Sequence, residues 1–119
     1  MDFHYLVTQP DLNAHGTLHG GILTKWIDES CGMFARLLTR KVCVTRHIGN
    51  IDFVATSKLG DTLKTHVDLL KVGNTSITFS GFVLDAITFK KIADFESFVF
   101  VAIDENGVPA KIKQLHNCL

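Results

Sequence analysis

Apolar and polar positions divide the chain into one segment of helical period and several of strand period. Ile22, Leu23, Trp26, Ile27, Met33, Phe34 and Leu37 fall within an arc of about 140° at ~100° per residue. That predicts a helix from Ile22 to about Leu38 with this arc against the core, closed by the basic residues of Thr39–Lys41 near its negative end. Phe3–Val7 reads as a short strand, and "TQPDLNAHGTLHGG" as a loop rich in turn formers. Behind the helix the period drops to two. "VCVTRHIGNIDFV" alternates, with a bulge expected at Gly49-Asn50. "DTLKTHVDLLKV" ends at a hairpin-like turn, Gly73-Asn74, and "TSITFSGFVL" and "DFESFVFVAID" are further strands. "DENG" is a turn, and the basic tail after it is expected to fray. One long helix followed by antiparallel strands is α+β: a curved sheet packed on a single helix.

The helix carries a third strip. Thr24, Asp28, Cys31, Gly32 and Ala35 lie together at roughly 180° to 280° from Ile22, given ~100° per residue. Lys25, Glu29 and Arg36 form the charged strip beside it. Small residues let a ligand or another backbone approach, and Asp28 faces that approach. Asp28 is too far inside the helix to cap it. On residues alone it reads either as a solvated carboxylate or as a functional one.

Gly20-Gly21 stands at the helix start, where backbone N–H groups are unpaired and the dipole is positive. The pair serves either a tight turn or an oxygen that must reach those N–H groups, a phosphate or an acyl-transfer oxyanion. No Lys-Ser/Thr follows, which excludes a P-loop. His15 and His19 are four apart, but Gly16 and Gly20 disfavour a helix there and leave a poor case for a shared metal. Cys31 reads as packing ahead of a nucleophile. Phe79, Phe82, Phe89, Phe95, Phe98 and Phe100 read as core, or as the lining of a slot for an alkyl chain.

The length of 119 residues sets one domain, 1–119. A mean hydropathy of +0.22 is high for so small a soluble chain and points to a buried subunit interface. Twelve basic residues balance twelve acidic ones, which argues against broad nucleic-acid binding. Cys31, Cys43 and Cys118 are odd in number and lack metal-type spacing, as befits free thiols in a reducing cytoplasm. The N-terminus does not read as a signal peptide, and no apolar run suits membrane insertion.

"NAHGTLHGGILTKWIDE" resembles the signature of hotdog-fold acyl-CoA thioesterases, in the branch of the bacterial YciA-type enzymes and the cytosolic acyl-CoA hydrolases of animals. The resemblance continues in "IDFVATSKLGD", "VGNTSI" and "FVFVAIDENGVPAKI", and so covers most of the chain. It implies a long central helix wrapped by a curved antiparallel sheet of about five strands, and hydrolysis of acyl-CoA between two subunits. By position in the motifs, Asp28 matches the catalytic carboxylate, a general base or nucleophile. Asn13 matches the motif asparagine, and Gly20 and Gly21 match the oxyanion region. His19, Thr75 and Ser76 fall on substrate-binding positions, the last two near the pantetheine arm. No metal and no cofactor is implied; coenzyme A enters only as part of substrate and product. Many relatives have a proline within the stretch where this chain has "ATSK". The animal enzymes fuse two such units, so this single unit is expected to form a homodimer or a higher homo-oligomer such as a hexamer. The alternatives are a hotdog hydratase or dehydratase using His19, and a non-catalytic acyl-CoA-binding module.

Overall fold

The computed structural model describes residues 1–118. Its one α-helix, α1, spans Gly20–Thr39. His19 starts it as N-cap, with Nδ1 accepting the Gly21 N–H at 2.8 Å. Arg40 ends it in the left-handed region (φ 58°), its N–H donating to the Arg36 carbonyl. That geometry satisfies a carbonyl the last turn would otherwise strand.

Six strands form one antiparallel sheet: β1 (Asp2–Leu6), β2 (Val42–His47), β3 (Ile51–Phe53), β4 (Thr62–Val72), β5 (Ser76–Asp85) and β6 (Lys91–Ile103). The main path runs β1-β4-β5-β6-β2, five strands as expected, and the short β3 also pairs with β6. Thr45 faces Phe100 and Ile51 faces Phe95, so β2 and β3 follow one another along the same flank of β6. The bulge expected at Gly49-Asn50 is a full break between them. A side chain on Gly49 would overlap the Glu96 carbonyl, and Ser97 opposite takes a φ of 61°.

The inner face of the sheet is rich in phenylalanine. Phe79, Phe98 and Phe100 are buried with Leu63, Val67 and Ile77, against Leu23, Ile27, Cys31, Ala35 and Leu38 of α1. The helix is therefore turned from the orientation its pattern predicts. Met33 and Leu37 are exposed, whereas Cys31 and Ala35 are fully buried. The sheet supplies the bulk: the Phe79 ring packs 5.5 Å from that of Phe34 and 6.0 Å from that of Phe100. A Cβ on Gly32 would sit 3.3 Å from the Phe100 ring. The small strip makes room for these rings, since a close-packed interior has no space for large residues on both faces.

Both terminal segments of the described residues are tied down. Tyr5 of β1 stacks on Trp26 of α1 at 4.9 Å. The tail after the Asp104–Gly107 turn does not fray as expected. Its N–H groups at Ala110, Ile112 and His116 donate to the carbonyls of Ala102, Asn74 and Leu38, each at 2.8 Å. Ile112 packs on the core as well, and this combination outweighs the tail's polar composition.

Candidate active site

Asp28 lies midway along α1 and is half-buried. Its Oδ1 accepts a hydrogen bond from Thr45 Oγ1 of β2 at 2.8 Å. One carboxylate oxygen is thus fixed, and the other carries no protein partner among the described residues. Thr45 was not legible as a site residue, because it lies 17 positions away along the chain and meets Asp28 only through the packing of helix on sheet.

Cys31 sits below Asp28 on the same helix and is fully buried. Burial first, and then the charge of Asp28, push its thiol far above the ordinary range. It stays protonated and unreactive, a packing group.

The glycines at the helix start differ from each other. The Gly21 N–H is held by His19 Nδ1. The Gly20 N–H donates to no protein group among the described residues. Gly20 opens onto a cavity of about 180 Å³ whose walls include Asn13, Leu23, Phe53, Ser57 and Ile92.

Asn13 shares this cavity and organises the loop before the helix. Its Oδ1 accepts from the N–H groups of His15 (2.9 Å) and Thr17 (3.1 Å), and its Nδ2 donates to Thr17 Oγ1 at 2.9 Å. One Nδ2 hydrogen remains for a ligand. Gly16 turns this loop with a φ of 78°, which suits glycine. His19 is exposed and acts as the cap. Thr75 and Ser76 stand at the β4–β5 turn, where the Thr75 carbonyl accepts from the Ala102 N–H. Ser76 faces Val101, which faces Val44 of β2, so this pair lies toward the Asp28 end of the sheet. Within one chain, Asn13 and Gly20 meet at the helix start and Asp28 does not join them. Among the described residues, no three His, Cys, Asp or Glu side chains converge as metal ligands.

Residues 15–88 match the Thioesterase superfamily. The chain belongs to that family. The match takes in Gly20, Asp28, Thr45, Ser57, Thr75 and Ser76, and begins two residues beyond Asn13. An uncharacterized acyl-CoA thioester hydrolase of Zymomonas mobilis is 33% identical over 109 residues, 87% of this chain and 72% of that protein. The hexameric thioesterase of Yersinia pestis has the same fold, with a TM-score of 0.88, 24% identity, and coverage of 94% of this chain and 93% of its own. A Staphylococcus aureus acyl-CoA hydrolase, solved with butyryl-coenzyme A and coenzyme A, superimposes with a TM-score of 0.82 at 25% identity, covering 98% of this chain and 70% of that one. Variants of that hydrolase with a threonine, an asparagine or an aspartate replaced by alanine have also been solved. The hotdog architecture of this thioesterase-superfamily chain is thus shared with solved thioesterases. No helix among its described residues is long and apolar enough to cross a membrane.

Proposed function

We propose that this protein hydrolyses acyl-CoA to a free acid and coenzyme A, at a site that two copies of the chain build together. One arrangement carries the reading. Gly20 and Asp28 stand eight residues apart on one helix, about 12 Å along its axis, and Asp28 is not among the walls of the cavity at Gly20. Within one chain the two groups do not face one space. A second copy related by a two-fold axis supplies the missing group at each of two equivalent sites. The free edge of β2, where Val42 and Val44 are 54% and 43% exposed, offers the surface for it. The Yersinia relative is a hexamer; this chain would form at least a homodimer.

In that site the Gly20 N–H holds the thioester oxygen as it gains negative charge, and the Gly21 N–H joins when the His19 imidazole turns aside. Losing one such donor costs about 10² to 10³ in rate. Asp28 of the other copy takes a proton from water while the water oxygen bonds to the acyl carbon; direct attack by the carboxylate is the variant route. Thr45 holds Asp28 so that its other oxygen faces the water. The free Nδ2 hydrogen of Asn13 orients the water or the carbonyl. The C–S bond then breaks and coenzyme A leaves as a thiolate, which needs no strong acid. His19, Thr75 and Ser76 hold the rest of the substrate. The three unpaired cysteines support a cytoplasmic site of action.

Release of coenzyme A thiol from acyl-CoAs between acetyl and palmitoyl tests the reading. Asp28→Asn should lower turnover about 100-fold or more with the melting temperature nearly unchanged. Near-normal activity in that variant would overturn the role of Asp28.

A further inference from the structure

The outer face of α1 carries apolar side chains that nothing in the single chain covers. Met33 is 44% and Leu37 39% exposed, although both belong to the apolar arc. With Phe3 of β1, Gly32 and Arg36 they wall an open groove of about 400 Å³. Arg36 lends its apolar stem to such a wall and keeps its charged head outside. Glu29 and Arg36 stand along this face seven residues apart. Both are exposed, and neither has an ion partner among the described residues. Arg36 Nη1 donates to the Arg40 carbonyl at 3.2 Å, which leaves most of the guanidinium's donors for another acceptor.

Seven residues are two turns to within about 20°, so Glu29 and Arg36 lie on one line along the helix, about 10 Å apart. Their midpoint falls between Gly32 and Met33. A second helix laid antiparallel, with a two-fold axis through that midpoint, sets each Glu29 opposite the partner's Arg36. The same axis sets each Met33 opposite the partner's Gly32. Gly32 is half-buried and has no side chain, so it leaves a depression. A flexible thioether such as that of Met33 fills one readily. The face is thus complementary to itself in charge and in shape, the property that a two-fold interface requires. Farther out, Lys25 meets the partner's Arg40, a like charge, about 11 Å from the axis along the helix. A steep crossing near −50°, the commonest for packed helices, splays those ends apart.

We infer that this face of α1 docks on the same face of a second copy of the chain. The contact goes beyond the hydrolase reading above and is separate from the β2 edge on which that reading relies. The groove includes Phe3 of β1, the strand at the opposite end of the sheet's main path from β2. Two different two-fold interfaces on one chain build an assembly with an even number of copies, four at least.

Light scattering during size exclusion reads the mass. The wild type should run at four or more times 13.2 kDa. Arg36→Glu sets Glu29 against a like charge across the axis and should leave particles of two chains; Glu29→Arg should do the same. The double exchange, Glu29→Arg with Arg36→Glu, restores opposite charges and should restore the wild-type mass. A fold merely weakened by the loss of Arg36 is not repaired by a second substitution, so rescue separates docking from folding. A two-chain wild type that Arg36→Glu makes single, with rescue by the double exchange, upholds this interface and overturns the pairing through β2 instead. A mass that does not respond to Arg36→Glu, a loss that the double exchange does not restore, or a single-chain wild type overturns the inference. A groove kept for another protein or for a lipid gives the unresponsive mass. Where the charge variants do not fold, Met33→Cys decides. Residue 33 stands beside the axis, so mild oxidation should join chains in pairs beyond any background from the three native thiols, and background alone overturns the inference.

Discussion

Thr45 Oγ1 donates to Asp28 Oδ1 at 2.8 Å, tying the middle of the helix to the edge strand. The bond leaves one carboxylate oxygen free and prevents the carboxylate from rotating. Thr45→Val keeps the shape and removes the donor. It should lower kcat about tenfold, the scale of a hydrogen bond to a charged group, with KM little changed. Thr45→Ser should restore most of the loss. Steady-state kinetics on one acyl-CoA decide it; a change in KM alone would make Thr45 a binding residue.

The proposed two-copy site makes a prediction about mixtures. Asn13→Ala and Asp28→Asn proteins, each nearly inactive, are unfolded and refolded together in equal amounts. Random pairing makes half the dimers mixed, and each mixed dimer has one intact site of two, so activity should return to about a quarter of wild type. Recovery of nothing in verified heterodimers would reject the shared site.

Asp2 predicts an acid dependence of stability. Its carboxylate receives His66 Nδ1 at 2.6 Å, and His66 Nε2 meets Asp68 at 2.9 Å. The hydrogen bond from His66 holds the Asp2 carboxyl below its usual 3.8. Because the folded chain favours the charged form, this contribution is present above the ordinary carboxylate range and is lost as pH falls through the depressed value. Asp2→Asn should therefore lower the denaturation midpoint at about pH 7 and make progressively less difference below about pH 4. A constant difference across that range would assign the effect to packing.

Cys31 should resist alkylation in the folded protein, since burial holds it as a neutral thiol. Iodoacetamide followed by mass mapping should label it only under denaturing conditions. Cys31→Ala should keep kcat and cost about 1 kcal/mol of stability. Loss of turnover without loss of stability would return Cys31 to the list of reacting groups.

The helix and the strands were legible because their signals are local. The apolar arc from Ile22 marks the helix, and alternation marks β4, β5 and β6. The face of the helix was not legible. Its apolar arc placed Met33 and Leu37 inside, yet Cys31 and Ala35 are the fully buried ones. Periodicity gives the width of an apolar stripe but not the volume of what it packs on, and here Phe79 and Phe100 take the space. Thr45 escaped for a related reason: its hydrogen bond spans helix and sheet.

The proposed division of Gly20 and Asp28 between two copies has a kinetic corollary. On that reading a newly made chain, fully folded but alone, carries parts for two sites and completes neither. It would then be inert toward thioesters until it meets its twin. At concentrations where most chains are single, the rate of hydrolysis should therefore rise with the square of the amount of protein, and only above the pairing constant should it become proportional.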